Sequence, residues 1–226
     1  GVPTADAGAA RDPACRRCTR PASHLDAVRV EVPSWHCAPV PPWGGRDARV
    51  LVVGLAPGRG GANRTGIPFT GDDSGDFLFA GLVRHGFAEA LPAGAPGPRR
   101  FRLRSVRITN AVRCLPPENR PLPAELRTCR PYLRRELGEL LRGGRRRRSV
   151  AVLALGRVAH EAVLDALGSA RRSHPFAHGG VHDLGARAAL VDSFHPSRYN
   201  TRTGRLTVPM FDAVLSRLRA QLDGAP

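Results

Sequence analysis

Five cysteines stand in the chain, Cys15, Cys18, Cys37, Cys114 and Cys129, and four of them could make a metal site. Cys15-x2-Cys18 has the spacing of a metal-binding knuckle, because thiolates this close along the chain can face one ion. Cys114 lies just past an apolar run and Cys129 in the helical stretch that follows, which completes a four-cysteine set. On spacing alone zinc is the commoner occupant of such a set, and an iron–sulfur cluster is the alternative. Cys37 reads as a small buried hydrophobe, and disulfides are not expected in a reducing compartment. A second concentration of chemistry is polar, glycine-rich and histidine-bearing. Gly54-Leu55-Ala56-Pro57-Gly58, Thr109-Asn110, Gly156 and His195-Pro196-Ser197 each end an apolar run.

Those runs are the elements that must position the site. Residues 49–54, 105–112, 149–155 and 188–194 read as buried strands. Helical patterns cover residues 75–85, with Phe77, Leu78, Leu82 and Val83 on one face, and 123–141, with Leu126, Leu133, Leu137 and Leu140 inward. Two more helices run from Gly156 to Leu167 and from Val208 to Leu222. Strands alternating with helices predict an α/β fold of three layers, α/β/α, around a central, mostly parallel four-stranded sheet. Sheets of this kind bind ligands at the carboxyl ends of their strands, where the polar clusters fall. Residues 1–48 read as an irregular segment with at most one short helix, and 87–101 as an Ala/Pro/Gly-rich loop. The whole of 1–226 reads as one domain, with Arg145–Arg148 as a solvated loop and no internal repeat.

Composition narrows the partners. Arginines and no lysines make up the 35 basic residues, against 19 acidic ones, for a net charge of +16. GC-rich codon usage explains arginine in place of lysine but not the cationic surplus, which points to a polyanion such as nucleic acid. No apolar run reaches the ~20 residues that span a bilayer, and the N-terminus lacks a signal-peptide layout. A cytoplasmic protein without a membrane partner is expected.

Three segments carry a family resemblance: GLAPGRGGANRTGIPFTGDDSGDFL (54–78), ITNAVRCLPPENRPLPAELRTC (108–129) and HPSRYNTRTGRLT (195–207). Together they resemble the family 5, type B uracil-DNA glycosylases, iron–sulfur members of the uracil-DNA glycosylase superfamily, in unbroken order from Cys15 to Leu218. The resemblance implies a four-stranded parallel sheet between helices. It also implies a 4Fe–4S cluster on Cys15, Cys18, Cys114 and Cys129, with no ligand role for Cys37. The implied activity is monofunctional removal of uracil, hypoxanthine and other deaminated or damaged bases from double-stranded DNA.

Such an enzyme must extrude a nucleotide, read its edge, stack its face, stabilise the charges of a breaking N-glycosidic bond and place a water. His195 is expected to donate a hydrogen bond to the base carbonyl as the base departs, and Asn110 to read the base edge. Phe69 is expected to stack on the flipped base, with the backbone of Gly54, Ala56, Pro57 and Gly58 close by. The best-known superfamily members carry Asp where this chain has Ala56, and type A relatives carry Glu where it has Leu55. The resemblance moves the water-positioning role to Asp72, while Asp73 and Asp76 read as helix-capping acids. Expected DNA contacts are Arg59, Arg64, Arg198, Arg202 and Arg205, with Ser74 and Ser197 on phosphate. By resemblance, the loop after His195 enters the minor groove. His174 and His178 read as structural or pocket-lining. Rival readings are a type A (family 4) iron–sulfur uracil glycosylase, and a non-catalytic nucleic-acid module with a structural four-cysteine zinc site. A monomer is expected.

Overall fold

The computed structural model describes residues 12–92, 100–145, 149–185 and 187–224. In chain order the elements are α1 (Thr19–Glu31), β1 (Trp43–Gly44), β2 (Val50–Gly54), α2 (Ala62–Thr65), α3 (Asp73–Arg84), β3 (Ala88–Ala90), β4 (Phe101–Leu103) and β5 (Val106–Asn110). They continue with α4 (Pro123–Arg145), β6 (Val150–Leu155), α5 (Arg157–Leu167), β7 (Val181–Gly185), β8 (Ala188–Ser193), α6 (Arg198–Arg202) and α7 (Val208–Asp223).

The main sheet has the order β1-β5-β2-β6-β8-β7. Its four inner strands are parallel, as expected, and β1 and β7 add antiparallel edges. The two central strands, β2 (VLVVG) and β6 (VAVLAL), are continuous apolar runs because both faces are covered, while β5 and β8 carry polar residues toward their carboxyl ends. Val50, Val52, Ile108 and Leu153 pack under α3 and α7 through Leu78, Phe79, Phe211 and Leu215. Leu51, Val53, Val152 and Leu190 pack under α4 and α5 through Leu133, Leu137, Val163 and Leu164. Each such side chain, fully buried, contributes about 1.5–3 kcal/mol. The register sets Gly54 beside Asn110 and Leu155 beside Ser193, so the four strands end together at one rim.

Several expectations are corrected. The sheet has six strands, not four: β1 is only two residues, and β7 (VHDLG) alternates exposed and half-buried residues, a pattern its His, Asp and Gly conceal. Residues 87–101 are not all loop, since β3 and β4 pair antiparallel there and Phe101 stacks on Phe79 at 4.3 Å; residues 93–99 lie outside the described residues. The N-terminal segment holds a full helix of 13 residues in α1, while residues 1–11 lie outside the described residues. Helix α4 continues to Arg145, so the arginine run begins inside it, and 146–148 lie outside the described residues. Among the described residues no helix is long and apolar enough to cross a membrane.

Candidate active site

At the carboxyl rim a cavity of about 430 Å³ is lined by Leu55, Ala56, Gly58, Ala62, Phe69, Asp72, Ser74, Asn110, Asn119, His195 and Ser197. It brings together the three residues expected to do chemistry, Asp72, Asn110 and His195, and the expected stacking ring, Phe69.

Asn110 ends β5 and is buried, and its Oδ1 has no hydrogen-bond partner. An unsatisfied buried acceptor costs about 1–3 kcal/mol, so it stays on a protein's inside where a ligand donor will meet it. Gly54 lies behind it: a Cβ there would overlap both Asn110 Oδ1 and the ring of Phe69. Gly54 therefore acts by what it lacks, permitting the amide and the ring to meet, and it does not itself line the cavity. Pro57 is buried and likewise absent from the lining, whereas Ala56 and Gly58 are present. Phe69 sits at φ +55°, a left-handed backbone that costs a non-glycine residue ~1 kcal/mol or more. Its ring lies 6.1 Å from that of His195, tilted by 32°.

Asp72, not Asp73 or Asp76, is the N-cap of α3: its Oδ1 accepts from Gly75 N–H at 3.0 Å. Its Oδ2 faces Gly58 and Gly61, where added Cβ atoms would crowd it. Burial raises its pKa; the Gly75 hydrogen bond opposes that shift, and the charges of Asp76 and Asp73 add to it. Asp73 is exposed and paired with Arg198 at 2.6 Å, which holds its carboxyl below the usual range. His195 follows β8, with its carbonyl fixed by Asn200 Nδ2 at 2.8 Å. The surrounding protein strips water from its ring and drops its pKa from 6.5 to about 4, so the imidazole is neutral near pH 7.

The expected DNA-contacting residues divide. Ser74 and Ser197 line the cavity, and Ser197 also caps α6. Arg198 and Arg202 flank the rim on α6, and Arg205 lies over the ring of Phe194 at 5.0 Å. Arg64 is turned to Gly60 O at 2.7 Å and Gly71 O at 3.1 Å, bracing the glycine loop, and Arg59 pairs with Glu31. Both therefore have local partners that a DNA contact must share or displace. Leu55, noted in the sequence as the type A glutamate position, lines the cavity, and Ala62 and Asn119 were not singled out. Asn119 was betrayed only by its residue type, since its φ of +55° is one that Asn tolerates. Tyr199 was missed too: it is 68% exposed between Arg198 and Asn200, an aromatic where burial would be usual.

The cysteines assemble on the opposite flank of β5. Cys15, Cys114 and Cys129 line a cavity of about 620 Å³, and Cys18 caps α1 beside them. Burial and the facing thiols of Cys129, Cys15 and Cys18 push Cys114 up to about 12, and burial pushes Cys129 to about 11. A buried set of mutually repelling thiolates suits a cation or cationic cluster, whose charge offsets both costs. Tyr132 Oη lies 3.4 Å from Cys15 Sγ, and Arg113 lies over the Tyr132 ring at 4.9 Å. Glu125 of α4, the helix that carries Cys129, ties it to α1, which follows Cys18: it accepts from Arg20 at 2.8 and 3.0 Å and from Leu122 N–H at 2.7 Å. Cys37 is fully buried, as expected, in an apolar cluster with Leu25, Val28 and Leu115 against which Cys114 also packs, and Asn63 Nδ2 lies 3.6 Å from its sulfur.

Residues 41–219 match the family model described as the uracil DNA glycosylase superfamily. A type-5 uracil-DNA glycosylase of Thermus thermophilus is 46% identical over 213 residues, 89% of this chain and 91% of that protein. A type-5 uracil-DNA glycosylase of Pyrobaculum aerophilum is 42% identical, across 91% of this chain and 88% of its own length. A type-4 uracil-DNA glycosylase of the same organism is 30% identical over 162 residues, 70% of this chain and 71% of its own. With Asp72, Asn110 and His195 of the rim cavity each drawn from one of the three segments that carry the likeness, the chain belongs to the uracil DNA glycosylase superfamily, among its type-5 uracil-DNA glycosylases.

Proposed function

We propose that the chain is a monofunctional glycosylase that hydrolyses the N-glycosidic bond of uracil, and of hypoxanthine and other deaminated bases, in double-stranded DNA. The observation that carries this reading is the buried, partnerless Oδ1 of Asn110 inside a cavity shared with Phe69, Asp72 and His195. The N3–H of a flipped uracil supplies the missing donor, and the Phe69 ring takes the base face. Neutral His195 donates an N–H to the carbonyl on which negative charge develops; with a pKa of about 4 it acts as a hydrogen-bond donor and not as a proton source. Asp72 Oδ2 orients the attacking water and stabilises the cationic sugar. The absence of lysine removes the usual Schiff-base route to strand cleavage.

The residues present fit a 4Fe–4S cluster on Cys15, Cys18, Cys114 and Cys129. Cys114 and Cys129 are buried and feel the thiols of Cys15 and Cys18, so four sulfurs from three segments face one another, the donor set of an iron–sulfur cluster held by cysteine alone. When bound, that cluster ties α1, the turn after β5 and α4 together. DNA is gripped by Arg198, Arg202 and Arg205, with Arg59 and Arg64 beside the glycine loop and Ser74 and Ser197 on phosphate. The protein acts as a monomer.

A panel of duplex oligonucleotides bearing uracil, hypoxanthine or thymine opposite each normal base tests the reading. Abasic sites at uracil and hypoxanthine from a brown, iron-containing protein are expected. A colourless, zinc-loaded protein that binds duplex without forming abasic sites would establish the binding-module alternative.

A further inference from the structure

Behind the active-site rim lies a second cluster of ionisable groups. Asp192 of β8 and His160 of α5 are both buried, with the carboxylate fully so. His160 Nδ1 meets Asp192 Oδ1 at 2.7 Å, and His160 Nε2 meets the carbonyl of His174 at 2.8 Å. With an acceptor at each nitrogen, the ring donates twice and carries positive charge against the carboxylate. Burial opposes that charge, but the hydrogen bond and charge of Asp192 and the His174 carbonyl outweigh it, so the His160 pKa is raised. His182 Nε2 of β7 donates to Asp192 Oδ2 at 2.9 Å, and Ala177 N–H reaches the same oxygen at 3.4 Å. The ligand atoms of this trio lie within 4.8 Å of one another, yet each is already engaged in one of these hydrogen bonds, so the cluster is an ion pair and not a cation site.

Its connections run toward His195. The backbone of Asp192 accepts from Gly179 N–H at 2.8 Å and donates to Gly180 O at 2.9 Å. One residue on, Ser193 O accepts from Gly156 N–H at 2.7 Å, and Phe194 N–H donates to His178 Nδ1 at 3.0 Å. The His178 ring stacks on Phe194 at 4.7 Å. A Cβ on Gly156, at the start of α5, would lie 3.3 Å from that of His195. The first turn of α5, residues 174–182 and the end of β8 are thus locked together, and His195 leaves from the lock. A buried ion pair adds little net stability over apolar packing, so its worth lies in registry.

We infer that Asp192, His160 and His182 form a buried clasp that holds His195 over the base cavity, making Asp192 a positioning residue for base release. The inference rests on the glycosylase reading for its kinetic arm only. Asp192→Asn keeps the volume and removes the charge, and His160→Gln removes the cation. Each is expected to lower the single-turnover rate of uracil release about tenfold. The Kd for duplex carrying an uncleavable uracil analogue should stay within about twofold, and the imidazole NMR signals of His195 should shift and broaden. If Asp192→Asn does not fold, His182→Gln on the half-buried side of the clasp decides, with a loss of about threefold. Wild-type rates and unmoved His195 signals in a folded variant overturn the clasp. A wild-type protein inactive on uracil overturns the glycosylase reading instead, while the His195 signals still report on the clasp.

Discussion

Asp72 carries two duties through its two oxygens. One oxygen caps α3 and the other faces the glycine loop, so a helix start places a carboxylate in the cavity. Sequence reasoning found the residue by resemblance but gave the capping to its neighbours. Cap and catalyst are indistinguishable by residue type when three acids crowd one helix start, and only the backbone direction separates them. His195 was legible from its place after a strand; its protonation state was not, because desolvation depends on what the rest of the chain packs around it. The state has a measurable consequence. With its pKa lowered to about 4, His195 binds protons in the unfolded chain between that value and 6.5 but not in the native one. Its contribution to stability is complete above pH 6.5 and is lost as the pH falls toward 4. The fall in unfolding free energy between pH 7 and pH 5 should therefore be smaller in His195→Gln than in the wild type, by urea titration. His160 runs the other way: its raised pKa gives stability present at low pH and lost as the pH rises through its folded value.

The inner strands and the long helices were readable because burial on both faces leaves continuous apolar runs and 3.6-residue periodicity. The edge strands were not. A strand of two residues has no pattern, and β7 is paired on one side only and carries His, Asp and Gly. Helix α1 was hidden for a related reason: it buries only Pro21, Ala22, Leu25 and Val28 and leaves apolar Ala27 and Val30 exposed, so its sequence carries little amphipathic contrast. What secures α1 is long-range, the fork of Arg20 on Glu125 at the start of α4. Glu125 is buried and also holds Leu122 N–H, so Glu125→Ala strands three donors at once. A cost of roughly 2–4 kcal/mol is expected, or a drop in Tm of roughly 5–10 °C, with faster loss of iron to a chelator. An unchanged Tm would show that α1 and α4 are joined by other contacts.

For the molecule as a whole, the surplus of +16 divides into parts. Many arginines are spent internally, as in Arg20 on Glu125, Arg107 and Arg113 on Glu136, and Arg130 and Arg171 on Asp165. Arg202 and Arg205 form no ion pair among the described residues, and Arg198 has only an exposed one. DNA affinity should fall steeply with salt, and Arg202→Ala should reduce the slope of log Kd against log salt by about 1. An unchanged slope would place the phosphate contact elsewhere. The fold class, the strand-end site and the thiol set were all open to reading from the chain. The orphan amide of Asn110 and the clasp behind His195 were not, since both arise from contacts between segments far apart in sequence. The central claim is that this cavity cuts the bond between uracil and deoxyribose with Asp72 as its carboxylate. Asn caps a helix as well as Asp does, so Asp72→Asn should preserve the fold and isolate the chemistry. Single-turnover release of free uracil from a U:G duplex tests this most directly. The wild type should release the base, and Asp72→Asn, with an unchanged Tm, should be slower by ~100-fold or more. No free uracil released by the wild type, or full activity in Asp72→Asn, would contradict it.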